Sequence, residues 1–517
     1  MRHKKLAYNT VFSLLLQIST VICGFILPKL IIDHYGSEVN GLVNSITQFL
    51  SVIAFLEFGV GAVFQSSLYK PLAERDYDAI SKVYVSGQRF FTRLTIILLF
   101  YVVSLMVIYP FIAKQKFGFA YTSALIMVMS ISTIAQYYVG MTNGLLLNAD
   151  QKGYIGYGTQ IITLFVNTVA CFILVRFNAS IHVLKLSTAL IYLARPFVAH
   201  VYVKKHYKIN KRIEYDVEPI KQKWNGLAQH VSTVILESTD TVVLTIFSTF
   251  SYVSVYSVYY LVISGVKQLF LAATAGLQSY LGELYAKKDD RLDNAFSLTE
   301  WGIHAATTFA FGCTLILIVP FVMIYTKGIS DADYYQPIFA ICIVLAYELY
   351  CYRLPYHILV KAAGHYAQTQ WCYLFAAVLN VIVSVIMVNI IGLTGVAIGT
   401  MIATGVQTIW MARYVSKKLV FIRFWHVIRQ FTCDAIIMVL GSLATYHFIG
   451  SEGTYLEWFG LAIKVACIWL GISGAVNLVF FGNSIKKWMK REKNKKTRIF
   501  DHGSSSVGII ENDNSTD

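Results

Sequence analysis

The sequence predicts an all-α polytopic membrane protein of about 14 transmembrane helices, built as two pseudo-symmetric six-helix lobes followed by a C-terminal helix pair. Three observations lead there. The 517 residues are 56% hydrophobic and 14% charged, with a mean hydropathy of +0.58, whereas a soluble domain carries roughly a quarter charged residues. The apolar residues fall into runs of about 20, the length that crosses a bilayer as a helix. The chain also repeats itself weakly at an offset of about 213 residues.

In chain order the spans read Leu6–Ile32, Asn40–Leu68, Phe90–Ala113, Tyr121–Leu147, Gly156–Val175 and His182–Val203. The basic segment Lys204–Trp224 interrupts the body. Leu227–Ser248, Tyr252–Leu281, Trp301–Thr326, Tyr334–Val360, Gln370–Ile391 and Gly395–Val415 follow, then Phe431–Phe448 and Leu456–Phe481. The implied units are an N-lobe (1–203), a basic linker (204–225), a C-lobe (226–415), a helix pair (416–482) and a tail (483–517) expected to be disordered past Phe500.

Charge placement gives orientation. With both termini cytoplasmic, cytoplasmic segments hold about 31 Lys and Arg and outer loops about 4. The net charge of +15 is therefore read as topogenic and headgroup-facing, not as a nucleic-acid surface. Many of the 34 tyrosines and 33 phenylalanines sit near span ends, where amphipathic rings favour the headgroup region. All eight cysteines lie inside spans without CxxC spacing, so neither a disulfide framework nor a metal site is expected, and no cofactor is implied. MRHKK before an apolar run superficially suggests a signal peptide. The run is span-length and lacks a small-x-small cleavage site, so it reads as a retained first helix. Loops beyond about 20 residues are missing apart from the tail, which leaves no room for a soluble catalytic domain and argues against an enzyme.

The chain is organised around Gly41–Ser81. A carboxylate, Glu57, lies near the middle of that span with Gly59 and Gly61 beside it, and the segment leaves the lipid at Tyr69–Lys70–Pro71. A carboxylate at membrane depth costs several kcal/mol unless it meets a partner or a wet cavity. Under the repeat offset Gln65, Ser66, Leu68, Ala73, Arg75 and Asp76 meet Gln278, Ser279, Leu281, Ala286, Lys288 and Asp289, and Ala149 meets Ala362. Such duplication places a central site between two lobes.

The other ionisable residues at depth are Arg195, Glu237, Asp240, Lys267, Glu348 and Arg353, while Lys29, Lys185, Asp434 and Lys464 sit nearer span ends and are expected to snorkel. Arg195, Lys267 and Arg353, with Lys29, are candidates for neutralising an anionic ligand, because guanidinium binds phosphate oxygens bidentately. Glu57 and Asp240 are candidates for ion coupling or a charge pair. Lys267 matches Ala54 under the repeat, one turn from Glu57, which suggests that Glu57 and Lys267 pair across one cavity. Gly59, Gly61, Pro196 and Pro355 are candidate points of flexibility. The bland alternative is pairing within each lobe simply to stay buried, and Glu237 and Asp240, three apart on one helical face, fit it. His230, His304 and His357 read as hydrogen-bonded packing residues. The acidic pairs Asp76/Asp78 and Asp289/Asp290 read as structural loop charges.

The second-span pattern Glu57, Gly59, Gly61, Ala62 followed by Leu68, Tyr69, Pro71, Leu72 and Ala73, with the turn Ala362–Ala363–Gly364–His365, resembles the Wzx-type polysaccharide flippases of the multidrug/oligosaccharidyl-lipid/polysaccharide (MOP) exporter superfamily. The layout covers about Leu6 to Phe481, and the sharp motif only the second span and its loop. The resemblance implies a MATE-like fold and translocation of undecaprenyl-pyrophosphate-linked oligosaccharide between leaflets of the cytoplasmic membrane by alternating access. It also implies work alongside a polysaccharide polymerase and chain-length machinery, in O-antigen or capsule synthesis. Competing readings are a drug or cation exporter, a flippase for the peptidoglycan lipid precursor, and a membrane-embedded polymerase or glycosyltransferase. The exporter needs anionic cavity groups, and the enzyme needs a larger polar loop or an acidic interfacial cluster.

Overall fold

The computed structural model describes residues 2–52, 60–113, 117–215, 227–274, 276–420, 424–448 and 453–505. Glu57 and Gly59, and with them the expected pairing of Glu57 with Lys267, lie outside the described residues. Every regular element described is helical, and 13 helical segments are long and apolar enough to cross a membrane. The first, Tyr8–Ser51, folds at Gly36 into two legs, which brings the crossings to the expected 14.

The helices are α1 (Arg2–Ser51), α2 (Val60–Glu74), α3 (Tyr77–Ile112), α4 (Phe119–Ala135), α5 (Met141–Ala149), α6 (Gly153–Arg176) and α7 (Ile181–His206). A second series follows: α8 (Leu227–Phe247), α9 (Phe250–Thr274), α10 (Leu277–Ala286), α11 (Leu292–Tyr325), α12 (Pro337–Tyr352), α13 (Leu354–Ala362), α14 (Tyr366–Ile391) and α15 (Leu393–Lys418). Two more, α16 (Phe424–Thr445) and α17 (Tyr455–Ser505), complete the chain. The last runs through the basic stretch Lys486–Arg498 and continues to Ser505, five residues past Phe500, where disorder is expected from the sequence.

Backbone geometry follows the repeat offset. Left-handed residues stand at Arg75 and Lys288, at Gln151 and Gly364, and at Asn178 and Gly392. The ends of α5 and α13, Ala149 and Ala362, match as read from the sequence. Packing recurs as well: α1 lies on α6 as α8 lies on α14, and α4 on α7 as α12 on α15. The loop acids have the structural role expected of them. Asp76 Oδ1 caps α3 by accepting from the amides of Asp78 (3.1 Å) and Ala79 (2.9 Å), a contact worth about 1 kcal/mol. Asp289 accepts from the Arg291 guanidinium and amide, which holds its carboxyl down at about 2.

Gly36 turns with a φ of 85°, and Asp331, from the loop after α11, caps the leg that starts there through the Ser37 amide (2.7 Å) and hydroxyl (2.6 Å). From that cap a polar stripe runs along one face of the second leg into the second helical series. Ser37 meets Tyr334 (2.8 Å), Asn40 meets Ser254 (2.8 Å), Ser45 meets Thr245 (2.6 Å) and Gln48 meets Ser238 (2.7 Å). Gly41 makes the close approach possible, because a methyl group there would strike the Phe250 carbonyl. The final helix pair is held by Trp469 of α17, whose fully buried indole lies over Gly312 of α11 and Gly441 of α16 and donates to Thr445 (3.3 Å). Gly312→Ala is expected to lose about 1–3 kcal/mol by overpacking against that ring. Gly265→Ala, in an open stretch of α9, is expected to hold or gain stability. Thermal unfolding in detergent followed by intrinsic fluorescence checks both.

Candidate substrate-binding site

Helix α7 carries Lys185, Thr188, Tyr192 and Arg195 at spacings of three, four and three, which puts them on one stripe. That stripe faces two adjoining cavities of about 400 and 450 Å³ that share Ser132, Thr133 and Tyr192. The facing wall is α4 together with the π-helical turn Gln136–Gly140, which adds one residue to the helical ladder and sets Gln136 and Tyr137 against the cavities. Arg195 donates from Nε to Thr163 (2.8 Å) and stacks on the Tyr192 ring at 3.7 Å, while its Nη2 is buried without a partner. Neither Lys185 nor Arg195 has a carboxylate of a described residue within ion-pair distance. A cation at membrane depth is normally matched. Here two stand in a polar pocket with no carboxylate among the described residues to match them.

In the second helical series Lys267 is paired. Its ammonium lies 3.3 Å from Glu237 Oε1 and 5.3–5.8 Å from the rings of Tyr260, Tyr347 and Tyr350. Arg353 stacks on the same Tyr350 ring at 4.6 Å, is 5% exposed, and keeps Nε and Nη1 without partners. One tyrosine thus joins two cations. Pro355 stands in the first turn of α13, directly after the helix break at Arg353, and Pro196 sits inside an unbroken α7 on the cavity wall. Gly61 is buried in α2. Lys29 pairs with Asp33 at 2.6 Å, partly exposed.

Asp240 meets no cation among the described residues. It accepts from Thr400 (2.6 Å) and Tyr256 (2.8 Å), and Thr400 accepts from Asn380 Nδ2 (2.9 Å). The Asn380 carbonyl oxygen in this cluster is buried and unsatisfied. Glu348 accepts from Tyr352 (2.6 Å). A third cavity, of about 780 Å³, is lined almost wholly by apolar residues of α12, α15 and α16, among them Leu349, Ile409, Val427, Phe431 and Leu440.

Four buried or cavity-lining residues are undervalued by sequence. Lys185 lines a cavity although its position near a span end suggested snorkelling. Glu300 was left outside its span because the hydropathy run begins at Trp301, whereas α11 begins at Leu292. His304 and Asp434 form a buried pair at 2.7 Å. Nothing in single-sequence periodicity brings α11 and α16 together. Lys267→Met and Glu237→Gln are expected to couple by about 1 kcal/mol in a double-mutant cycle of thermal stability, since Glu237 is 44% exposed.

No protein-family profile matches the sequence, and no curated protein matches it. Solved structures do. A lipid II flippase, MurJ, in an inward closed conformation is 13% identical, with a TM-score of 0.69 over 92% of this chain and all of that one. An inward-facing multidrug resistance MATE family transporter of the MOP superfamily is 15% identical, with a TM-score of 0.63 over 77% of this chain and 95% of its own. A eukaryotic MATE transporter, AtDTX14, is 12% identical with a TM-score of 0.54 over 80% and 95%. The chain therefore has the fold seen in the lipid II flippase and in MATE transporters, and it matches the flippase over all of that chain.

Proposed function

We propose that this protein is a flippase that carries undecaprenyl-pyrophosphate-linked oligosaccharide from the inner to the outer leaflet of the cytoplasmic membrane by alternating access between two six-helix lobes. The observation that carries the reading is the pair Lys185 and Arg195, cations in a polar pocket that meet no carboxylate of the described residues. A diphosphate needs such partners in transit. Tyr192, Gln136, Gln160 and the threonines supply the stacking and hydrogen-bonding surface that a sugar chain uses, and the apolar groove beside α16 suits a polyprenyl tail. A drug or cation exporter would place carboxylates where the described cavities place Lys185 and Arg195. Lys267 and Arg353 are proposed as a second anion contact, with Lys29 guiding headgroups at the rim. Glu57 and Asp240 are proposed as the ion-coupling carboxylates. The oxygen cluster around Asp240, with the unsatisfied Asn380 oxygen, suits a proton or a small cation.

The polar stripe between Ser37 and Gln48 acts as the gate of the end remote from the basic segments. Likeness to an inward-facing MATE transporter exceeds likeness to an outward-facing one, with TM-scores of 0.63 against 0.55, in keeping with that gate being shut. A second reading, flipping of the peptidoglycan lipid precursor, is favoured by one observation. The lipid II flippase is matched over its entire length and over 92% of this chain.

Deleting the gene in the native host and analysing lipid-linked intermediates separates these readings. Intact oligosaccharide trapped on the inner leaflet supports the proposal. Trapped peptidoglycan precursor supports the second reading, and unextended single-sugar lipids contradict both. In proteoliposomes Arg195→Gln and Lys185→Gln are each expected to slow flipping roughly 10–100-fold, the worth of a charged hydrogen bond of about 1.5–3 kcal/mol. Lys464→Gln, on an exposed face of α17, is expected to leave the rate unchanged. Flipping that persists after collapse of both proton and sodium gradients would remove Glu57 and Asp240 from the coupling role.

A further inference from the structure

Where α16 meets α11, α12 and α13, three carboxylates and two imidazoles are buried together. Glu300 is 0% exposed, Asp434 2%, Glu348 3% and His304 0%, and the fifth group, His426, has a side chain 19% exposed. Spacing builds the cluster. Glu300, His304 and Thr308 are successive turns of α11, and His426, Gln430 and Asp434 are successive turns of α16. The rungs cross as His304 Nδ1 to Asp434 Oδ2 (2.7 Å) and Glu300 Oε2 to His426 Nε2 (3.5 Å). Tyr356 donates to Glu300 Oε1 (2.5 Å). Two hydroxyls link the remaining acid: Thr308 Oγ1 lies 3.0 Å from Asp434 Oδ1 and 2.7 Å from the Tyr352 hydroxyl, which lies 2.6 Å from Glu348 Oε1, and two hydroxyl protons serve all three contacts only when one of the acids supplies a third.

We propose that this cluster is a proton-binding site, reached from His426 and holding exchangeable protons between α16 and the bundle. It lies apart from the substrate and coupling residues proposed above and does not depend on which lipid is carried. Charge arithmetic requires bound protons. The described cations around it are Arg429 on α16, Arg353 between α12 and α13, and Lys267 on α9. Arg429 is 3.0 Å from His426 Nδ1 and stacked on Phe481, Arg353 is stacked on Tyr350, and Lys267 is paired with Glu237. None reaches a carboxylate of the cluster. His357 of α13 turns to Tyr373, and Cys433 is the remaining titratable group beside Asp434. On α17, Asn477 meets Trp301 and brings no charge.

Three carboxylates with neutral imidazoles carry three negative charges, and leaving them so in a water-poor interior is prohibitively costly. Arg429 against His426 offsets one of these charges, and among the described residues the other two are matched only by bound protons, so the five acceptors offer more proton positions than protons. The vacancies are visible. His304 Nε2 and Glu300 Oε2 are buried without a hydrogen-bond partner, and so is His426 Nε2, the nitrogen that carries the proton while Nδ1 accepts from Arg429. With Nδ1 accepting from Arg429, the neutral His426 ring holds its proton on Nε2, facing Glu300 Oε2. A proton that arrives at Nδ1 as Arg429 withdraws lets the Nε2 proton pass to Glu300, which forms the carboxyl O–H and leaves a neutral imidazole protonated at Nδ1. The Thr308–Tyr352 hydroxyls offer the same exchange between Asp434 and Glu348. His426 stands two residues into α16 and Asp434 eight further, about 12 Å along the axis, so the site reaches from the helix end well into the bundle. Losing one proton leaves an unmatched charge between α16 and its neighbours, which loosens the helix that walls the apolar groove.

The test is infrared difference spectroscopy of the full chain in lipid nanodiscs without substrate, titrated from acid to alkaline pH in H2O and in D2O. Protonated-carboxyl bands that shift in D2O and change intensity with pH are expected, with one lost in Glu300→Gln and another in Glu348→Gln. His426→Gln is expected to slow isotope exchange at the Glu300 band. If a variant fails to fold, glutamate-labelled wild-type protein identifies the same bands. Absence of such bands, or bands fixed in intensity at every pH and unshifted in D2O, would overturn the proposal.

Discussion

A charge inside a hydrocarbon layer has to be matched by something, and this structure depends on how its charges are matched. Lys267 meets Glu237, Lys29 meets Asp33 and His304 meets Asp434. Lys185, Arg195 and Arg353 meet aromatic rings, hydroxyls or cavity space and no described carboxylate. In a protein selected for stability alone, an apolar residue at those positions would be easier to bury. Retaining them is intelligible when the missing negative charge arrives with a ligand.

The fold makes room for that arrangement through small residues and hydroxyls. Without a hydrophobic driving force between helices in lipid, association rests on close packing and interhelical hydrogen bonds. Gly41 against Phe250, and Gly312 and Gly441 against Trp469, give the close packing. The stripe from Ser37 to Gln48 gives the hydrogen bonds. Such bonds are individually modest, on the order of 0.6 kcal/mol in a membrane. A row of four can therefore hold an end shut and still be opened by ligand or ion binding, which suits a gate better than an apolar zipper would.

Hydropathy made the crossings legible, and the backbone repeat at 213 residues followed from matches such as Arg75 with Lys288, which turn out to share a left-handed conformation. The break at Arg353 was legible from Pro355. The π-helical turn at Gln136–Gly140 carries no sequence signature, although it shapes the polar cavities. Glu300 escaped because hydropathy marks where a segment becomes apolar, whereas α11 starts nine residues before Trp301. Lys185 and Asp434 escaped because distance from a span end measures depth along the normal and not the direction a side chain faces. Arg195 and Arg353 were named as buried cations and are found half-matched by rings. Tyr192 and Tyr350, their partners, were lost among 34 tyrosines.

The central claim is that Lys185 and Arg195 on α7, which meet no described carboxylate, await a phosphate-bearing lipid. Native mass spectrometry of the purified chain with undecaprenyl pyrophosphate, and separately with undecaprenol, tests it most directly. The account predicts retention of the diphosphate over the alcohol, a preference that collapses when Lys185 and Arg195 are both changed to glutamine. Equal retention of the two lipids, or a preference unmoved by the double substitution, would contradict it.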